Sequence, residues 1–313
     1  MKKYNLRVDI TRFLLAILVI AIHTGPFDGI KTPAGIFIVQ YLGRLAVPLF
    51  FALSGYYLHQ SIQKSKNPDL TVKKTILNLL KIYLLSWIIY LPLWFYQNRP
   101  INLLKFVIDA LWAGMHYHLW YFPALIIGIL IVYGLSKLKN KSVAWQIVVI
   151  LYIIGMGLNA YYYLAFEEMP LIYLSRNGLF FAPMFVMIGF YPIYKQNLIA
   201  LIISLLLYGM EITGLYSLGH MQELSSMYLF LIPVVIFMFP FIIDDTGKTH
   251  TSLVFHRLSL SMYIIHPVIV LGLYFLQLKL KTELSSTLIF MVVSVLSIIT
   301  AWGYQQFRVR KDS

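Results

Sequence analysis

Apolar runs close to 20 residues long recur along the whole chain, separated by short polar stretches. Runs of that length match the hydrocarbon core of a bilayer and predict transmembrane helices. Ten are predicted, over 10–25, 35–58, 76–96, 118–135, 143–161, 178–194, 197–215, 227–243, 258–276 and 285–306. The shorter ones fit a bilayer that thins locally. The pattern predicts an all-α polytopic membrane protein, with 1–313 forming a single transmembrane domain. No soluble domain, internal repeat or low-complexity linker is visible. The first run lacks a small-residue cleavage site and is followed at once by the second, so it is expected to remain as a span.

The polar stretches orient the bundle. With the N-terminus inside, 17 lysines and arginines fall in cytoplasmic segments and 6 in outer ones. Basic residues favour the cytoplasmic side, so both termini are predicted there. Asp28, Asp109, Glu167, Glu168, Glu211, Glu223 and Glu283 lean to the outer side, while Asp244-Asp245 reads as solvated loop charge. Composition agrees: 60% of the residues are hydrophobic and 12% charged, against about 25% charged in soluble domains. The net charge of +13 is then a matter of topology and anionic lipid, not of nucleic acid. Cysteine is absent, which excludes disulfides and thiolate chemistry.

Polar groups inside the spans are the candidate chemistry, because ionisable residues in a membrane are costly and usually functional. Arg12 and His23 are eleven residues apart. They therefore share one line along a helix, about 16 Å apart on its axis. Arginine grips phosphate or carboxylate with a planar fork, and histidine takes a proton near neutral pH. The alternative is that Arg12 snorkels to the interface and His23 caps the outer end. Arg44 begins the outer half of the second span and needs an anionic ligand or a counter-ion, with Asp28 or Asp109 as candidates. His116 precedes the fourth span and His118 opens it, with no third ligand at a metal-type spacing. His118 is placed at the outer mouth. Arg176 and Asn177 precede the sixth span and either grip a carboxylate or cap the helix. His266 lies inside the ninth span before Pro267, where a freed backbone carbonyl satisfies it or a polar cavity surrounds it.

In their order along the chain these segments resemble the membrane acyltransferase family 3. The carriers are the Arg12–His23 pair in the first helix, Phe50, Phe51, Ser54 and Gly55 in the second, and Ser259 to His266 late in the chain. The resemblance implies a ten-helix fold, cytoplasmic acyl-coenzyme A (acetyl-CoA or another acyl-CoA) and His23 as general base. YHLWYFPALI, RNGLFFAPMF, SMYLFLIPVVIFMFPFI and LSMYIIHP further resemble the membrane half of the vancomycin-resistance membrane-bound serine racemases, the VanT type. That likeness implies a bacterial cell-membrane protein, L-serine as ligand, and a linked cytoplasmic racemase domain using pyridoxal phosphate (PLP), which this chain does not contain. Where many relatives carry an arginine-rich motif at the start of helix three, this chain reads TVKKTILNLLK. Lys73 and Lys74 there offer point charges to phosphate.

Three functions follow as expectations. In the first, L-serine is bound from outside, with Arg44 or Arg176 on its carboxylate and Asp109 or Glu223 on its ammonium, and is delivered to the racemase. In the second, an acyl group moves from acyl-CoA, bound near Arg12, Lys73 and Lys74, to an outer hydroxyl, with His23 as base. In the third, the domain is a passive anchor. No metal is expected in any of them.

Overall fold

A computed structural model describes residues 4–170, 172–244 and 249–312. Lys2, Lys3, Asp245 and Lys248, used above for charge and topology, lie outside the described residues. The elements are β1 (Tyr4–Asn5), α1 (Leu6–Thr24), α2 (Pro33–Gln63), α3 (Pro68–Gln97), α4 (Leu103–Ile108), α5 (Tyr121–Ser136), α6 (Lys141–Gly157), α7 (Ile172–Ser175), α8 (Ala182–Phe190), α9 (Leu198–Ser217), α10 (Leu231–Ile243), β2 (Thr249–His250), α11 (Leu253–Leu280) and α12 (Ser286–Asp312).

Helix occupies each predicted stretch, and its starts are written in side chains that satisfy the first free N–H groups. Asn5 accepts from Val8 N–H, Asn67 from Leu70, Asn140 from Ser142 and Ser252 from Phe255. Among the described residues, five helical stretches are long and apolar enough to cross a membrane: Pro33–Gln63, Pro68–Gln97, Leu198–Ser217, Leu253–Leu280 and Ser286–Arg310. Their outward faces stay apolar, as with Leu85 and Ile88 on α3 and Ile199 and Leu206 on α9. Such surfaces suit acyl chains rather than water. Two expectations need correction. The 178–194 stretch contains only the nine-residue α8, which starts at Ala182-Pro183 and ends ahead of Tyr191-Pro192. The chain is also not purely helical, because β1 and β2 pair antiparallel, Tyr4 with His250 and Asn5 with Thr249.

The chain forms two compact units. The first comprises the chain up to Phe50, Tyr194–Leu198 and the chain from Phe237 onward. Its core joins Ala16 and Ile20 of α1, Leu258 and Met262 of α11, and Val293 and Ala301 of α12. The second comprises Phe51–Ile193 and Ile199–Ile236. Here Phe51, Tyr152, Phe181 and Phe185 are fully buried and meet edge-on or stacked. Between apolar helices in lipid, close packing and hydrogen bonds supply the attraction. Glycines allow it: a Cβ on Gly189 would lie 1.7 Å from the Ala52 carbonyl oxygen, and one on Gly55 2.1 Å from that of Val186.

Candidate functional site

In the first unit, α1 and α11 run parallel and touch through polar groups near both ends. At the N-terminal end Arg12 lies 3.4 Å from Asp9, one turn earlier on the same helix face. Asp9 is 3% exposed. It also meets His250 Nε2 at 2.9 Å and His256 Nδ1 at 3.0 Å. Arg12 thus belongs to a carboxylate cluster instead of simply snorkelling. Sequence reasoning passed over Asp9, His250 and His256. The available signal was the Asp9–Arg12 spacing of three, which pairs charges on a helix.

At the other end, the His23 and His266 rings stack, centroids 5.4 Å apart. His266 is fully buried. Its Nδ1–H donates to the Tyr263 carbonyl at 2.9 Å. Pro267 supplies the reason: it has no N–H for the carbonyl four residues back. That bond fixes the ring and makes Nε2 the proton-accepting nitrogen. The level of Arg44 follows from Gly43, where a Cβ would come 2.9 Å from Ile22 Cγ1. Gly43 therefore packs on α1 beside His23, and Arg44 follows it. A π-helical turn over Phe37–Leu42 sets Gln40 under Arg44, whose Nε donates to Gln40 Oε1 at 2.9 Å. Arg44 and Gln40 are both buried. Asp28, considered above as the counter-ion of Arg44, accepts from Ser286 at 3.2 Å. Asp109, the other candidate, receives Trp94 Nε1 at 2.7 Å and Lys105 Nζ at 2.8 Å.

In the second unit, the stretches read as MHYHLWYF and SRNGLFF come together. The Arg176 guanidinium lies 4.3 Å from the Trp120 ring centroid, a cation–π distance. Asn177 is buried. His118 is 1% exposed. It pairs with His116 through their Nδ1 atoms, 3.1 Å apart, so one ring donates and the other accepts. Among the described residues no group of three or more His, Asp or Glu is placed to hold a metal. Asn159, another residue the sequence gave no reason to choose, is fully buried and accepts from Ser226 and Met227 N–H at 2.8 and 3.1 Å. Lys73 and Lys74 stand exposed on the first turns of α3, and Glu223 is exposed.

His116 carries a pH prediction. It lies in the connection ahead of α5, and burial pushes its pKa from 6.5 down to about 4. Below 6.5 the unfolded chain binds a proton that the folded chain refuses, so stability is complete above pH 6.5 and falls as pH drops towards 4. The loss is at most about 3 kcal/mol, discounted because the ring is partly exposed. Thermal unfolding in detergent from pH 8 to 4.5 should show a falling Tm that His116→Gln flattens. An equal fall in that variant would assign the effect elsewhere.

Residues 5–304 match the acyltransferase 3 family model, described as an acyltransferase domain. The chain is 33% identical over 323 residues to a serine/alanine racemase of Enterococcus gallinarum, covering 94% of this chain and 45% of that protein. It is 30% identical over 322 residues to an amino-acid racemase of Enterococcus faecalis, again 94% and 45%. A further amino-acid racemase of Enterococcus faecalis is 34% identical over 272 residues, 79% of this chain and 37% of that protein. The chain thus spans less than half the length of these relatives. No solved structure matches it.

Proposed function

The chain belongs to the acyltransferase 3 family, and from that premise we propose that it is the serine-handling membrane domain of a VanT-type racemase system. It binds L-serine from the outer side of the bacterial cell membrane and passes it to a PLP-dependent racemase domain on the cytoplasmic side, for D-serine-containing cell-wall precursors. Ten spans and two cytoplasmic termini belong to this reading, and the basic bias of the inner loops supports them. The observation that carries it is the buried Arg44–Gln40 pair at the level of the His23–His266 stack. A guanidinium, an amide and two imidazoles at one level of an apolar unit suit a small, polar, carboxylate-bearing ligand. Arg176 over Trp120 is a second cation of that kind, in the other unit. The racemase names and double length of the relatives support a fused partner domain.

The second reading, acyl transfer with His23 as general base, is favoured by the family itself and by the fixed tautomer of His266 beside it. The basic residues fit an acyl-CoA diphosphate less well. Arg12 is engaged by Asp9, and Lys73 and Lys74 are solitary exposed charges on a helix side.

Thermal unfolding of the purified chain with L-serine, and separately with acetyl-CoA, tests the two. A ligand at 100 times its Kd stabilises by about 2.7 kcal/mol. The expected result is a rise in Tm with L-serine that Arg44→Ala removes and D-lactate does not reproduce. A rise with acetyl-CoA alone, lost in His23→Ala or Arg12→Ala, would replace serine handling by acyl transfer. No rise with either would leave a passive anchor.

A further inference from the structure

The Asp9, His250 and His256 group at the N-terminal end of α1 has no task in either reading. Its hydrogen bonds fix both tautomers. Ser252 N–H donates to His250 Nδ1 at 3.2 Å, so His250 must present Nε2–H to Asp9. His256 meets Asp9 through Nδ1, so that nitrogen carries the proton and Nε2 carries the lone pair. A carboxylate behind Nδ1–H holds the ring in place and leaves Nε2 free of that contact. The His256 side chain is 30% exposed, while Asp9 behind it is 2% exposed. The base is partly exposed and its counter-charge is protected.

Every element around the centre adds to its electrostatics. β1 supplies Tyr4, whose ring stacks on His256 at 4.1 Å. β2 supplies His250, and α1 supplies Arg12 as well as Asp9. Arg7 is held by Asp244 at 2.9 Å, and Arg257 follows His256 on α11. One carboxylate is thus shared by Arg12 and two imidazoles.

We infer that Asp9, His250 and His256 form a proton-exchange centre. His256 Nε2 takes the proton of a hydronium ion from the adjoining aqueous phase, leaving water, and gives it back to water on discharge. No electron moves and no other bond changes. Asp9 holds the imidazolium in place. The same two helices carry His23 and His266, about four turns along α1 and three along α11. Charging the centre therefore biases the packing that forms the Arg44 level. On the serine-handling reading, on which this last step rests, proton binding at one end drives ligand movement at the other.

The full chain in lipid nanodiscs, with ¹³Cε1-labelled histidine, would be titrated from pH 5 to 9. His250→Gln and His256→Gln assign the two signals. The expected result is that His256 titrates inside this range and that its midpoint falls by one unit or more in Asp9→Asn, which removes the charge behind Nδ1. Asp9→Glu serves if the asparagine variant does not fold, and should shift the midpoint by displacing the charge. A His256 held in one state throughout, or a midpoint indifferent to residue 9, overturns the centre; a merely structural clamp gives that outcome. L-serine uptake into proteoliposomes then tests the coupling. A pH gradient should raise initial uptake at least fivefold in the native chain and leave it unchanged in His256→Gln. Uptake blind to the gradient overturns the coupling and leaves serine handling intact. Absent uptake beside a normal titration removes serine handling and keeps the centre.

Discussion

Gly189→Ala is expected to abolish the folded second unit. The added Cβ would lie 1.7 Å from the Ala52 carbonyl oxygen and 2.6 Å from its carbon, where contact needs more than 3 Å. Both obstacles are backbone, so no side chain can rotate away and α8 must lift off α2. Overpacking that side chains absorb costs roughly 1–3 kcal/mol; a backbone clash exceeds that, and more than about 4 kcal/mol suffices to unfold a marginal protein. Gly55→Ala on the opposing helix should behave alike, because its Cβ meets the Val186 carbonyl at 2.1 Å. Gly214→Ala is the control. It lies in α9 of the same unit with nothing within 4 Å, so it should hold or gain up to about 1 kcal/mol. Size-exclusion profile and Tm in detergent read all three. A Gly189→Ala protein that elutes as a single species within about 2 °C of the native Tm would refute the close crossing.

Glu211→Ala is the second large effect. The Glu211 carboxylate, on α9, accepts from the Tyr161 hydroxyl and from Leu229 and Phe230 N–H, the latter two at 2.6 and 2.8 Å. Those amides immediately precede α10, so one carboxylate satisfies free donors at that helix start and complements its dipole. Truncation leaves three donors without an acceptor, each at roughly 1–3 kcal/mol, and a total loss of about 3–5 kcal/mol is expected. Glu211→Gln keeps an acceptor oxygen but loses the charge, and should fall about midway. Denaturant unfolding in mixed micelles gives the ranking native, Gln, Ala. Equal stability of Gln and native would mean that the charge contributes nothing there.

These two positions show what was readable in advance. Gly55 on α2 was singled out with Ser54 as part of the family pattern, but its counterpart Gly189 carries no such mark in a featureless apolar run. Glu211 read only as a charge leaning to the outer side, because a carboxylate shows its sign in the sequence and not its partners. The helices themselves were legible, since hydrophobic length is a local property, and so was the role of Pro267, which acts on the carbonyl four residues before it. The proline-bounded start and end of α8 were equally present in the sequence, yet hydrophobicity alone had stretched that helix to a full span. Arg12 and His23 were found because both sit on one helix at a repeating angle. Asp9 was missed because two of its partners, His250 and His256, are 241 and 247 residues away in sequence, a distance over which periodicity carries no information.

That separation also sets an order of assembly. When α1 leaves the ribosome, it presents a carboxylate whose imidazole partners are still untranslated. At 5–20 residues per second, the wait for His256 is roughly 12–50 s. During it, Arg12, three residues along the same helix, is the charge that Asp9 can reach. The i,i+3 pair therefore chaperones its own helix through insertion, and the strand pair Tyr4–Asn5 with Thr249–His250 acts as the clasp that closes the first unit once residues 249–250 have been synthesised.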